Sequence, residues 1–214
     1  MRQVGRPLAI GYVGPMVAPQ IDLVPVPRGS VTFPVVLRPP RGFKASRPST
    51  WPSVEGRLEF SKGNLLYMPP CGEEQSSVSA SVSWVLVDWA RRTPGFDVGG
   101  NEAGVILDGE VRGLDGAVWK SSGKKRTNRF RRTAPLLAVE VQGEDETLDS
   151  LREKAAWYLE HGTTTVWLVL PSLNVVVVVT SSGEKRVREG DRLPQPTGLR
   201  GLSPLVSDVF WRSA

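Results

Sequence analysis

Histidine and cysteine are almost missing from this chain: His161 and Cys71 each stand alone among 214 residues. A single cysteine rules out a disulfide framework and a thiolate metal cluster. A single histidine gives little support for a zinc centre or a Ser-His-Asp triad. Apolar runs are short, and none approaches the roughly 20 residues of a membrane-spanning helix. Prolines interrupt every hydrophobic stretch behind the N-terminal arginines, so a signal peptide is not expected. Together these absences lead to the expectation of a soluble, cytoplasmic protein without membrane partners.

Acids are also scarce at one end. Residues 1–50 hold seven Lys/Arg against the single acid Asp22, a balance of +6, which leaves the rest of the chain at −1 out of a total of +5. Half of the eighteen prolines fall in the same stretch. Proline at that density removes backbone donors and blocks helices and central strands. Residues 1–50 are therefore expected to be an extended or disordered basic leader, and residues 51–214 the folded domain. Met16 is an in-frame alternative start within that leader.

From Trp51 onward the pattern becomes regular. Gly56-Arg-Leu-Glu-Phe60 and Asn64-Leu-Leu-Tyr-Met68 flank a glycine turn and read as a hairpin. Glu73 and Glu74 open a helix whose apolar residues Val78, Val82, Val85, Leu86 and Trp89 recur at helical spacing until Pro94-Gly95. Short strands follow at Phe96–Val98, Gly104–Leu107, Val111–Arg112 and Asp115–Trp119, with an Asp108-Gly109 turn among them. A polar loop, Lys120–Arg132, precedes a buried strand at Leu136–Val141. A helix from about Glu146 to His161 comes next, then two strands, Thr165–Leu170 and Val175–Thr180. The segment Leu205–Trp211 is apolar enough to pack back onto the body. Hairpins followed by strand–helix–strand predict an α/β domain with a mixed sheet flanked by helices.

The chemistry concentrates in Pro135-Leu-Leu-Ala-Val-Glu140-Val-Gln142. Alternation puts Glu140 and Gln142 on one face of this strand and Val139 and Val141 on the other. A carboxylate inside an apolar strand needs a partner, because burying it alone costs several kcal/mol. Asp115 lies in another strand-like run, and Lys154 follows on a helix. Two acids at neighbouring strand ends with a lysine in reach are the parts of a Mg²⁺-dependent phosphodiesterase site. Each residue also has a structural reading. Asp115 sits between Gly113 and Gly116 and suits a turn. Glu140 suits an ion pair with an arginine. Lys154, on a face with Leu151 and Tyr158, either snorkels outward or is held inward by an acid.

From Glu59 onward the chain resembles the Uma-two family, a branch of the PD-(D/E)XK, restriction-endonuclease-like nuclease superfamily. The resemblance rests on Glu59-Phe-Ser-Lys-Gly63, Leu114-Asp115-Gly-Ala-Val118, Pro135-Leu-Leu-Ala-Val-Glu140-Val141, and on Lys154, Tyr158, Gly162 and Trp167-Leu-Val-Leu-Pro171. It implies a restriction-endonuclease-like core and hydrolysis of DNA by water activated at Mg²⁺, with Mn²⁺ as a substitute. Asp115 and Glu140 would hold the metal, with the Val141 carbonyl and waters completing its shell. Glu59 would be an accessory acid, although a surface charge on a hairpin reads equally well. Leu114 stands where the superfamily usually has proline, and Gln142 where it usually has lysine. The resemblance makes Lys154 the replacement for that lysine, with Gln142 left to hydrogen-bond water or phosphate.

The loop between the two acidic strands carries Lys120, Lys124, Lys125, Arg126, Arg129, Arg131 and Arg132 and no acid. It is expected to hang near the site and neutralise phosphates, or else to be an ordinary solvated loop. Phe130 is its lone aromatic, so base stacking has weak support. His161 is expected to cap its helix, and Cys71 to precede the first one. Two rival functions remain: a degenerate nuclease fold that binds DNA without cutting, and a protein-interaction module, for example a homodimer built on an exposed Trp/Val surface.

Overall fold

Two hairpins, each closed by a two-residue turn, start the architecture. The computed structural model describes residues 31–123 and 129–210. Strands β2 (Arg57–Ser61) and β3 (Asn64–Met68) meet across Lys62-Gly63, both at positive φ (49° and 80°). Strands β5 (Ala103–Leu107) and β6 (Glu110–Leu114) meet in the same way across Asp108-Gly109, at 46° and 85°. Two positive φ values in succession match the right-handed twist of the flanking strands.

These hairpins and β1 (Val35–Leu37) form an all-antiparallel sheet in the order β1-β3-β2-β6-β5. A second sheet has six strands: β4 (Phe96–Gly99), β7 (Gly116–Lys120), β8 (Leu137–Val141), β9 (Thr165–Leu170), β10 (Val175–Thr180) and β11 (Gly183–Arg188). Its order is β11-β10-β9-β8-β7-β4, and only β8 and β9 are parallel. That parallel pair needs a crossover, which helix α2 (Leu148–Glu160) supplies.

Every residue of β8 is buried, and its two faces enter different cores. Val139 and Val141 pack with Val82, Leu86 and Trp89 of helix α1 (Glu73–Arg92). Ala138 packs with Leu151, Ala155 and Tyr158 of α2. Glu140 therefore points to the α2 side. Gly116 sets how closely α1 approaches: a Cβ there would lie 2.9 Å from Val82 Cγ1 and 3.3 Å from Val139 Cβ. On the solvent face of α1, Trp84 and Val87 stand exposed. Val206 and Val209 of the short helix α3 (Val206–Val209) are buried in the core shared with α1, so the segment packs back as far as Phe210, and Trp211 lies outside the described residues. Trp89 Nε1 ties the preceding loop by donating to the Arg200 carbonyl at 3.1 Å. No helix among the described residues is long and apolar enough to cross a membrane.

Two expectations need correction. The folded part does not begin at Trp51: Val35–Leu37 pairs with β3, Phe43 packs on Trp51 and Phe60, and the compact unit opens at Thr32. Proline density hid this because an edge strand of three residues tolerates prolines on both sides. Residues 1–30 of the expected leader lie outside the described residues. The expected mixed sheet flanked by helices is present, and the antiparallel sheet stands beside it as a second one. Strand β11 escaped notice because its exposed, charged residues leave only Val187 buried. Helix α2 also starts two residues later than expected, since Thr147 accepts from Ser150 N at 3.1 Å and forms a capping box.

Candidate active site

Asp115 occupies the single residue between β6 and β7, where the chain passes from one sheet to the other. It is 3% exposed, and its Oδ2 accepts from Val141 N at 2.8 Å, which locks it to the end of β8. Glu140, 2% exposed, accepts twice: Oε2 from Lys154 Nζ at 3.2 Å and Oε1 from Tyr158 Oη at 2.7 Å. Lys154 and Tyr158 are four residues apart on α2, so one helix face supplies both donors. Lys154 is thus turned inward by an acid rather than snorkelling.

Glu146 completes the grip on Lys154, accepting from Nζ at 2.7 Å. Because Thr147 starts the helix, Glu146 sits in the turn before it and also accepts from Gly143 N at 3.0 Å. The Gln142 amide donates to the Glu146 carbonyl at 2.8 Å, so it braces this turn. The Val141 carbonyl, an expected metal ligand, accepts from Gln75 Nε2 of α1 at 3.0 Å.

The antiparallel sheet closes the other side. Arg57 lies 3.7 Å from Asp115 Oδ1 and 3.3 Å from Glu102 Oε1. Two residues along the same strand face, Glu59 is 5% exposed and accepts from Arg112 Nη1 at 3.1 Å and from Gly113 N at 3.2 Å. Arg112 stacks over the Trp157 ring at 5.2 Å. Glu59 is therefore buried and paired, not a surface charge.

Five acids (Glu59, Glu102, Asp115, Glu140 and Glu146) gather here with three cations, Arg57, Arg112 and Lys154. Burial leads the pKa shifts of this group, and the neighbouring charges add to it or oppose it. Burial, then the charges of Asp115 and Glu59, push Glu140 up to about 8 against the pull of Lys154 and Tyr158. Burial also raises Asp115, despite the Val141 N–H and Arg57. Burial opposes the Lys154 charge, but Glu140, Glu59 and Glu146 outweigh it and hold its pKa above the ordinary value. Burial pushes Glu146 up, yet Lys154 and the Gly143 N–H bring it below the usual range.

A buried site with surplus carboxylate charge suits a cation. Among the described residues no three His, Cys, Asp or Glu side chains are placed to hold a metal together. An ion would rest on Asp115 and Glu140 with water and phosphate oxygens, a shell that Mg²⁺ accepts and structural Zn²⁺ does not. Carboxylate oxygens have several lone pairs, so the donors already on Glu140 leave room for a metal.

The basic loop is not where it was expected. It leaves β7 at Lys120 and re-enters at the start of β8, whereas Asp115 precedes β7 and Glu140 lies near the end of β8. Five residues of strand, roughly 17 Å, separate Lys120 from Asp115. Connectivity brought the acids together and put the described ends of their connecting loop at the other end of these two strands. Lys120, Arg129 and Arg132 are exposed, while Arg131 bonds Asp97 at 2.8 Å and lies over the Trp119 ring at 4.6 Å. Lys124, Lys125 and Arg126 lie outside the described residues. Phe130 packs on Trp51, so it is an anchor rather than a free stacking platform. His161 ends α2, its Nδ1 within 2.7 Å of the Trp157 carbonyl. Cys71 is a half-buried residue before α1, whose N-cap is Gly72.

The family model described as Uma2, "Putative restriction endonuclease", matches residues 49–208, about three quarters of the chain. The chain belongs to the Uma2 family. A solved structure supports the fold of this Uma2 protein: a "putative nuclease belonging to DUF820" from Anabaena variabilis ATCC 29413 superposes with a TM-score of 0.67. The two share 18% identity, over 76% of this chain and 94% of that one. No curated protein matches by sequence. Sequence reasoning about this Uma2 protein missed Arg57, Glu102, Arg112 and Glu146. Arg57 was within reach, since strand alternation puts it on the same face as Glu59.

Proposed function

We propose that this Uma2 protein is a Mg²⁺-dependent endonuclease that hydrolyses DNA phosphodiester bonds. The observation that carries the reading is the buried pair Asp115 and Glu140, with the Lys154 ammonium on Glu140 and carboxylates in excess around them. Mg²⁺, when bound, supplies a Lewis acid that acidifies water and offsets charge on the phosphate. Asp115 and Glu140 would hold it. Lys154, fixed between Glu140 and Glu146, is placed to orient the attacking water and to stabilise the negative charge that grows on the phosphoryl oxygens. Tyr158 fixes the rotamer of Glu140 by holding its second oxygen. Gln142 donates one amide N–H to the Glu146 carbonyl, which leaves its second N–H and its Oε1 for water or phosphate, and Glu59 acts through its field on Glu140 and Lys154.

The test is cleavage of plasmid and single-stranded DNA with Mg²⁺ or Mn²⁺, comparing wild type with Glu140→Ala and Lys154→Ala. Metal-dependent nicking lost in both variants supports the assignment. Nicking that persists in Glu140→Ala sinks it. One observation favours a second reading: the position that usually carries a lysine holds Gln142, which brings no positive charge and braces the Glu146 turn with one amide donor. DNA binding without cleavage under either metal would select a binding module that has lost its chemistry.

A further inference from the structure

From Asp22 to Glu55 the chain has no acid between, and Arg38, Arg41, Lys44 and Arg47 fall within that interval. All four are exposed, and among the described residues no carboxylate lies within ion-pair distance of them. That sets them apart from Arg57, Arg112, Arg131, Arg152 and Lys154, each of which meets an acid.

Their backbone is built, not loose. Thr50 Oγ1 accepts from Lys44 N at 2.9 Å and donates to the Arg47 carbonyl at 2.8 Å. Arg47 N bonds the Lys44 carbonyl at 2.9 Å, and Trp51 Nε1 bonds the Ala45 carbonyl at 3.1 Å. Phe43 seats the segment between Trp51 and Phe60, with ring centroids 5.4 and 5.0 Å apart. The same Trp51 indole meets Phe130 at 5.5 Å, so the cations that flank Phe43 and those that flank Phe130 are drawn to one place. Ala45 and Ser46 also share the wall of an open cavity with Arg132. Asp108 and Glu160 line that cavity too, so the cavity itself carries both signs of charge.

We infer that residues 38–47, joined through Trp51 to Arg129 and Arg132, grip the sugar–phosphate backbone of the DNA substrate. Exposed single cations hold a lone anion weakly, whereas a polyanion gains from releasing a counterion at each contact. The inference rests on the nuclease reading for the identity of the polyanion.

The test is the anisotropy of a labelled duplex oligonucleotide with Ca²⁺ in place of Mg²⁺, across a series of salt concentrations. Arg41→Ala/Lys44→Ala/Arg47→Ala is expected to bind about tenfold more weakly or worse and to flatten the slope of log Kd against log salt by about 0.9 per cation removed. Lys185→Ala/Arg186→Ala/Arg188→Ala on β11, which removes equal charge, is expected to behave as wild type. Wild-type binding by the first variant, equal losses in both, or no DNA binding by wild type overturns the inference. Wild type that binds through residues 38–47 but never cuts would refute the nuclease reading alone. Cleavage by wild type with unchanged binding in the first variant would refute the grip alone.

Discussion

Tyr158 Oη donates to Glu140 Oε1 at 2.7 Å, while one helical turn earlier Lys154 holds the other oxygen of the same carboxylate. The strand thus presents an acid whose rotamer is set by the helix that crosses it. Tyr158→Phe keeps the packing and removes one donor to the ionised form, so the Glu140 pKa rises further. The acid limb of the pH–rate profile should move to higher pH, with cleavage near neutrality reduced about tenfold, in line with a hydrogen bond to a charged group. An unmoved limb would reduce Tyr158 to a packing residue.

Metal binding should be linked to protons. With Glu140 pushed up to about 8, Mg²⁺ must displace a proton at neutral pH. Apparent affinity should rise with pH by up to about tenfold per unit, then level off above pH 8. Calorimetry in two buffers of different ionisation enthalpy would count the protons released. A constant affinity between pH 6 and 8 would remove Glu140 from the ligand set.

The same shift makes a prediction for stability. The folded pKa of Glu140 lies above its ordinary value of 4.5, so the native state retains a proton that the unfolded chain gives up. Its contribution is fully present below pH 4.5 and is lost as pH rises through about 8. Asp115 is shifted in the same direction. Tm of the metal-free protein should therefore fall across this window, and Glu140→Gln should flatten the fall. Identical slopes in the two proteins would mean that the charge is relieved elsewhere.

Gly116→Ala tests the packing beside Asp115. The added methyl would meet Val82 Cγ1 at 2.9 Å, Leu86 Cδ1 at 3.2 Å and Val139 Cβ at 3.3 Å. All three neighbours are buried, so destabilisation of about 1–3 kcal/mol is expected from overpacking. A urea midpoint equal to that of wild type would show that α1 shifts freely over β7.

Much of this candidate site is legible in the sequence. Glu140 stood out because a carboxylate interrupts an apolar strand, and the Lys154/Tyr158 spacing put both residues on one helix face. Glu146 was not legible: its role depends on Thr147 taking the cap and leaving the preceding carboxylate free to turn back. The basic loop misled because adjacency to both acidic strands in sequence says nothing about which strand end a connection leaves from. The ordered segment from Val35 was missed because proline content argues against central strands, and β1 is an edge.

Sequence by itself determined the alternation along β8, the helix periods, the two positive-φ turns and hence which residue types face each core, since all of these follow from local backbone geometry. Only the tertiary structure decided that Arg57 of one sheet meets Asp115 at the crossing to the other, that Lys154 is shared by two carboxylates, and that residues 38–47 reach Phe130 of the basic loop through Trp51. Those pairings join residues far apart in sequence, and their energies depend on burial and distance, which local pattern does not carry.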